Sequence, residues 1–203
     1  VDIDMIAGPS EIGIIADESA NPVHLAADLL SQAEHDPRAR AIMVTNSEKL
    51  ANLVSDEVER QLSQLPRESI ARPAIENNSY IAVMDSVEDM FTVMNEVAPE
   101  HLEIQLPDPM EYMSMVENAG SVFLGRYASE PLGDYVGGTN HVLPTSGTAK
   151  FSSPLGVYDF VKRISFTQFS RERLQEVAKD ITTLARTEGL EAHARAIEVR
   201  FEK

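Results

Sequence analysis

Residues 11–45 read EIGIIADESANPVHLAADLLSQAEHDPRARAIMVT and carry the strongest structural signal in the chain. The apolar run Glu11–Asp17 is typical of a buried strand. Asn21 is a favoured N-cap residue, and the proline after it suits the first position of a helix. The helix is predicted to end before Pro37, because the residue that precedes a proline avoids helical geometry. Ala39–Thr45 then predicts a second strand, so the whole stretch predicts a βαβ unit with parallel strands.

The same alternation of strand and helix continues along the chain. Further strands are predicted at Ile3–Ile6, Tyr80–Met84, His101–Leu106 and Ser121–Leu124, and helices at Asn46–Leu65, Val87–Val97 and Pro109–Ala119. Residues 67–77 fit neither pattern. Strands that alternate with helices favour a mainly parallel sheet with helices on both faces. We therefore predict a three-layer α/β domain of Rossmann-like type that extends to residue 154.

The pattern changes after Gly125. Tyr127–Gly156 contains eight glycines and prolines and no helical period, and a stretch of that length inside a compact domain is usually functional or disordered. The elements predicted beyond it are a strand at Phe160–Phe169 and two helices at Arg171–Arg186 and Leu190–Arg200, separated by Glu188-Gly189. We place a domain boundary near Pro154, so that residues 155–203 form an extended segment followed by a small helical tail.

The composition restricts the class of protein. The formal charge of −16 over 203 residues argues against binding to the phosphate backbone of nucleic acids or to anionic membranes. The absence of cysteine excludes disulfides, cysteine-ligated zinc and a thiolate nucleophile. The chain starts at Val1 and runs directly into a strand pattern. We expect from this a part of a longer protein, the alternative being a processed mature terminus.

Two pairs of polar residues are candidates for chemistry. Gln32 and His35 lie three residues apart at the end of the predicted helix, where both side chains share one face. An amide oxygen beside an imidazole can form half of a metal site, but the same pattern is typical of a polar helix end. Glu100-His101 supplies two proton acceptors of different basicity, which suits acid–base catalysis in successive steps. The alternative is a loop dipeptide with a solvated glutamate.

Three further residues give weaker signals. Asp134 lies among glycines on a predicted flexible loop, which could bring an oxygen ligand to a metal or form an Asx turn. The spacing around His141 does not distinguish a ligand from a packed loop residue. His193 on the last helix is typical of a solvated surface histidine.

Five short motifs follow one another along the chain. They are Gly8-Pro9-Ser10-Glu11, Ser31-Gln32-Ala33-Glu34-His35-Asp36-Pro37, Ala98-Pro99-Glu100-His101-Leu102, Gly133-Asp134-Tyr135 and Asn140-His141-Val142-Leu143-Pro144-Thr145. In this combination the sequence resembles the histidinol dehydrogenase family. The resemblance covers essentially all 203 residues of this chain and corresponds to only the C-terminal portion of the longer family protein. The resemblance implies a zinc-dependent homodimer of histidine biosynthesis that oxidises L-histidinol to L-histidine through the aldehyde, using two NAD+. We expect it in the cytoplasm.

The resemblance also implies roles for individual residues. It assigns zinc to Gln32, His35, Asp134 and His193, and substrate contacts to the same four residues together with Ser10, His101 and Glu188. Glu100 would activate the water that attacks the aldehyde-level intermediate, and His101 would take the alcohol proton as the hydride leaves. Zinc would mainly orient the substrate, since the imidazole and the amine of histidinol are both good zinc ligands.

The resemblance sets limits on this chain as well. The family's NAD contacts lie mostly in its N-terminal portion, and its first domain takes strands from both halves of the protein. We therefore expect an incomplete Rossmann-like sheet and an inactive isolated chain. The C-terminal tail is expected to reach a partner subunit, with His193 far from His35 of its own chain.

Two other functional classes are compatible with the same residues. One is a noncatalytic α/β metal-binding or regulatory module, which would use Gln32, His35 and Asp134 alone. The other is a metal-dependent hydrolase, which would use Glu100 as the base on a zinc-bound water.

Overall fold

The computed structural model describes residues 5–202 of the chain. It contains two compact units, of which the first ends at Phe160 and the second begins at Val161. The sheet of the first unit consists of β1 (Glu11–Ala16), β2 (Arg40–Thr45), β3 (Tyr80–Val83), β4 (His101–Gln105) and β5 (Ser121–Leu124). The helices of this unit are α1 (Pro22–Ala33), α2 (Glu48–Leu62), α3 (Glu68–Asn78), α4 (Val87–Val97) and α5 (Glu130–Tyr135).

All neighbouring strands of the sheet pair in parallel, in the order β3-β2-β1-β4-β5. The chain moves outward from β1 to β3 and then returns to the other side of β1, as in the Rossmann topology. Parallel strands need crossover connections, and helices supply them on both faces of the sheet. The predicted three-layer α/β fold with a mainly parallel, Rossmann-like sheet is confirmed.

Two apolar layers lie on opposite faces of the sheet. On one face, Ile12, Ile14 and Met43 pack with the apolar sides of α1, α2 and α3. On the other face, Ile15 and Ile104 pack with the apolar side of α4. Because successive side chains of a strand point to opposite faces, β1 contributes to both layers, and every one of its six residues is buried.

Helix α1 runs back towards the edge of the sheet where the strands begin, as a crossover helix must. The Asn21 side chain accepts the N–H of Val23 at 2.9 Å, so the predicted N-cap is confirmed. Gln32 lies in the last turn of α1, as predicted, but the helix ends at Ala33 and His35 lies just beyond it. The reason is a tighter turn, in which the N–H of His35 donates to the carbonyl of Gln32 at 3.1 Å.

Some predicted elements differ from the structure. The strand predicted at Phe160–Phe169 is wrong, since residues 161–170 belong to no helix or strand. A strand needs a hydrogen-bonded neighbour, and the described part of the chain pairs none with this segment. The predicted helix at Pro109–Ala119 is a 3₁₀ helix that ends at Met115. The ambiguous residues 67–77 largely form α3.

The strand predicted at Ile3–Ile6 begins outside the described residues, and Met5 and Ile6 belong to no strand. The second unit contains α6 (Arg171–Thr187) and α7 (Glu191–Glu198), as predicted. They are separated at Gly189, whose φ of +75° is the left-handed conformation that favours glycine. Within residues 5–202, no helix combines the length and the apolar character needed to cross a membrane.

Candidate active site

The predicted acid–base pair lies where β1 and β4 begin. These two strands are parallel neighbours, and Ile12 lies opposite His101 in their register. The preceding residues, Glu11 and Glu100, therefore meet at the same edge of the sheet. Ser10 directly precedes Glu11, and its carbonyl accepts the N–H of Arg40 at the start of β2.

The backbone of a single residue, Glu11, orients the side chains of both Glu100 and His101. The N–H of Glu11 donates to Oε2 of Glu100 at 3.0 Å, and the carbonyl of Glu11 lies 2.9 Å from Nδ1 of His101. A carbonyl can only accept, so Nδ1 carries the proton and Nε2 of the neutral ring has a free lone pair. That Nε2 atom is buried and has no hydrogen-bond partner among the described residues.

Helix α5 places two carboxylates near Nε2 of His101. Oε1 of Glu130 lies 3.6 Å from Nε2 of His101. Ligand atoms of Glu130, Asp134 and His101 all lie within 4.8 Å of one another, close enough to hold one metal ion. Glu130 and Asp134 are four residues apart, so they share one face of the short helix.

The last turn of α1 closes the same space. Gln32 is 1% exposed, and its amide lies against the Glu130 carboxylate. Both polar atoms of that amide are nevertheless without a regular hydrogen bond in the part of the chain described. His35 lies close enough to influence the protonation of His101. Buried polar atoms are nearly always paired, so this group of unpaired atoms indicates a site for a ligand.

The electrostatics of the site are dominated by buried acids. Burial raises the pKa of Glu100 to about 7, with further contributions from the neighbouring carboxylates of Glu11 and Asp134. Burial and then the Asp134 carboxylate raise the pKa of Glu130 to about 7. Burial lowers the pKa of His101 below its ordinary value, so that its neutral form prevails at neutral pH. The Arg40 guanidinium, 3.2 Å from Glu11, is the one arginine or lysine paired with these acids within residues 5–202.

This arrangement has two chemical capacities. Carboxylate oxygens, an amide oxygen and imidazole nitrogens are suitable ligands for Zn²⁺ and other divalent cations, and a cation would offset the crowded negative charge. Glu100 and His101 are also two separate proton acceptors whose pKa values lie near or below neutrality.

The structure brings together five of the residues singled out from the sequence, namely Gln32, His35, Glu100, His101 and Asp134. The flexible loop predicted around Asp134 is wrong, because the residue lies in α5. Glu188 is the C-cap residue that follows α6 and His193 lies in α7, both in the second unit. His141 is exposed in a segment without regular structure.

Glu130 was not predicted as a site residue. The one signal for it in the sequence is its spacing of four residues from Asp134, directly before Pro131. Such spacing matters only if the intervening residues are helical, and a six-residue helix that contains a proline and a glycine shows no clear period.

Comparisons with known proteins agree on one family. A sequence model described as histidinol dehydrogenase matches residues 1–201. The chain is 66% identical over 202 residues to histidinol dehydrogenase of Lactiplantibacillus plantarum, covering 100% of this chain and 47% of the relative. It is 64% identical over 203 residues to the Streptococcus mutans enzyme, covering 100% and 48%. The crystal structure of histidinol dehydrogenase from Elizabethkingia anophelis superposes with a TM-score of 0.92 at 42% identity, covering 100% of this chain and 46% of that chain.

The chain thus spans about half the length of the curated relatives it matches.

The buried acids make the stability of the chain depend on pH. Glu100 and Glu130 hold protons in the folded state up to a pKa of about 7, whereas the unfolded chain releases them near 4.5. Between these values the folded state binds more protons, so its free energy of unfolding falls as the pH rises. We predict that, with a chelator present, the thermal unfolding midpoint decreases from about pH 5 to about pH 8.

Glu130→Gln should flatten this decrease, because the amide does not titrate. Glu57→Gln is the matched control, since the Arg60 partner lowers the pKa of that carboxyl to about 2 and it is ionised throughout the range. A midpoint that stays constant or increases with pH in the unsubstituted chain would contradict the account of the buried acids.

Proposed function

Because the chain belongs to the histidinol dehydrogenase family, we propose that it supplies the acid–base and metal-binding part of an active site that oxidises L-histidinol to L-histidine. One observation carries the proposal. The backbone N–H and carbonyl of Glu11 hold Glu100 and His101 next to the unpaired amide of Gln32 and the carboxylates of α5.

We assign the first proton transfer, in the oxidation of the alcohol to the aldehyde, to His101. Its Nδ1–H is held by the Glu11 carbonyl, so Nε2 is the atom that accepts the hydroxyl proton. Burial lowers the pKa of the ring, which keeps it neutral and able to accept a proton at neutral pH. The hydride that leaves the substrate carbon in each oxidation would pass to NAD+, although the 203 residues contain no G-x-G-x-x-G motif.

We assign activation of water, in the oxidation of the aldehyde to the acid, to Glu100. A carboxyl group with a pKa of about 7 is a stronger base than an ordinary glutamate and is still substantially ionised near neutral pH. The N–H of Glu11 fixes Oε2, so Oε1 is the atom that takes a proton as the water oxygen bonds to the aldehyde carbon. The resulting hydrate carries the hydrogen that leaves as the second hydride.

We propose Zn²⁺ as the metal, with Gln32, His35 and Asp134 of one chain and His193 of a second copy as its ligands. The fit is supported by the unpaired amide of Gln32 and by the group of oxygen and nitrogen atoms around Asp134. A bound zinc ion would orient the substrate through its imidazole and amine, both of which are good zinc ligands. Ser10 and Glu188 are proposed to hold the substrate as well.

The two other functional classes are less well supported. A noncatalytic metal-binding module gives no role to Glu100 and His101, which one residue of β1 holds in place. A metal-dependent hydrolase would be consistent with Glu100 as a base, but the family match over residues 1–201 is to a dehydrogenase.

Zinc titration by calorimetry separates the proposed metal ligand, His35, from the proposed base, Glu100. His35→Asn should weaken Zn²⁺ binding by more than the roughly 10–100-fold typical of residues that merely support a ligand. Glu100→Gln should retain Zn²⁺ affinity. At the matching position of the full-length Lactiplantibacillus plantarum enzyme, Glu100→Gln should slow aldehyde oxidation by about 10²–10⁴-fold, the usual contribution of a general base.

His141→Asn is the control for this titration, because His141 is exposed and lies outside the cluster. Unchanged Zn²⁺ affinity in His35→Asn, or loss of affinity in Glu100→Gln equal to that in His35→Asn, would count against the assignment.

We propose further that the protein acts as a homodimer in which the C-terminal tail reaches the other subunit. The support comes from an apolar segment, defined as residues 151–169, whose aromatic side chains are largely uncovered. Phe151, Tyr158, Phe160 and Phe166 are each more than three-quarters exposed, at 81%, 77%, 77% and 90%. Exposed apolar side chains in such number indicate a surface that another protein covers, and exchange of a tail is a low-cost route to a dimer.

Mixed dimers test the exchange of the tail. In the full-length Lactiplantibacillus plantarum enzyme, His35→Asn and His193→Asn at the matching positions should each abolish activity. If His193 acts in the partner's site, a dimer with one subunit of each variant contains one intact site and regains about half of the wild-type activity. Mixed dimers that remain inactive would show that both histidines act within one chain.

A further inference from the structure

A second pair of buried carboxyl groups lies behind the candidate site, between β4 and α1. Side chains on β4 alternate, so that His101, Glu103 and Gln105 point to the α1 side while Leu102 and Ile104 pack with α4. Glu103 is 0% exposed and hydrogen-bonds the carboxyl group of Asp28 on α1. The mechanism described above uses neither of these two acids.

The carboxyl group of Glu103 makes three polar contacts. Its Oε1 accepts the N–H of Glu130 at 2.9 Å, its Oε2 accepts Nε2 of Gln105 at 2.9 Å, and the third contact is to Asp28. Burial raises the pKa of Glu103 to about 8. At neutral pH Glu103 and Asp28 therefore share a proton in the hydrogen bond between them.

The bond to Glu130 has a specific structural consequence. Glu130 is the first residue of α5, whose N–H has no partner within the helix, and Ser129 at the N-cap position makes no side-chain cap. Glu103 therefore takes the place of the missing cap. Helix α5 has six residues, which is too short for a helix to be stable without tertiary contacts.

A second contact fixes the middle of α5 but leaves its start free. A Cβ atom on Gly133 would lie 2.7 Å from Cζ of Phe123, so the helix packs closely on β5 at that point. Phe123 lies opposite Glu103 in the register of β4 and β5. Phe123 therefore contacts α5 at Gly133, whereas Glu103 contacts it at Glu130.

We propose that Glu103 is a positioning residue for the candidate site: it caps the first turn of α5 and thereby holds the carboxylates of Glu130 and Asp134 next to His101. Asp28 completes the cap by fixing the orientation of the Glu103 carboxyl group from the α1 side. The proposal deepens the proposed function and rests on it only for the identity of the cation.

Two substitutions at one position test the cap. Glu103→Met retains the length of the side chain but offers no oxygen to Glu130. Glu103→Gln retains an oxygen for the Glu130 N–H and supplies a fixed donor towards Asp28, as the protonated carboxyl does, and gives up the oxygen that accepts Nε2 of Gln105. Two quantities are measured in each variant, hydrogen exchange at the Glu130 amide and Zn²⁺ affinity by calorimetry, with the thermal unfolding midpoint as a check on folding.

In Glu103→Met the Glu130 amide should lose its protection, and Zn²⁺ affinity should fall by about 10–100-fold, as for other residues that hold metal ligands in place. Glu103→Gln should restore both towards the unsubstituted values. A purely structural role would lower the unfolding midpoint of both variants without this difference. If Glu103→Met does not fold, Glu103→Asp replaces it, since the shortened side chain draws the carboxyl group away from Glu130.

A folded Glu103→Met or Glu103→Asp variant with a protected Glu130 amide and unchanged Zn²⁺ affinity would overturn the proposal. Equal damage in Glu103→Gln and Glu103→Met would also overturn it. If the unsubstituted chain binds no Zn²⁺, the proposed metal fails, whereas exchange at the Glu130 amide still shows whether Glu103 caps α5.

Discussion

The parallel pairing of β1 with β4 is the constraint on which the candidate site depends. It places Ile12 opposite His101. The N–H of the preceding residue, Glu11, therefore bonds the Glu100 side chain, and its carbonyl bonds the His101 side chain. The end of α4 must come close to β1 for this contact. Gly13 permits the approach, because a Cβ atom there would lie 2.4 Å from Sδ of Met94 and 2.8 Å from Cγ of Pro99.

The same pairing concentrates acidic groups that oppose folding. Glu11, Glu103 and Glu130 are each at most 3% exposed, and burial raises the pKa of every one of them. A buried carboxyl group is tolerated if it is protonated, paired or bound to a cation. Glu11 has Arg40 and Glu103 shares hydrogen bonds with Asp28. The cluster around Glu130 and Asp134 is therefore the place where a cation would contribute most to stability.

Much of this arrangement could be predicted from the sequence, and the exceptions have physical reasons. The βαβ signal of residues 11–45 is reliable because a capped amphipathic helix and two apolar runs agree with each other. Glu100 and His101 stand out as an adjacent acid and base. Glu130 and Glu103 do not, since one lies in a helix too short to show a period and the other depends on contacts distant in sequence. The alternating apolar residues of 160–169 suggested a strand, but pairing depends on a neighbour that the local sequence does not specify.

The central claim is that the α5 carboxylates, Gln32 and the nearby histidines form a prebuilt site for a divalent cation. Zinc-edge X-ray absorption on the chain with one equivalent of Zn²⁺ tests it most directly. The account predicts a shell of oxygen and nitrogen ligands at about 2.0–2.2 Å, with the outer scattering of imidazole that a histidine ligand produces. That imidazole signal should disappear in the variant in which His35, His101 and His193 are all replaced by Asn. An octahedral shell of oxygen without imidazole scattering, as for hydrated zinc, would contradict the claim.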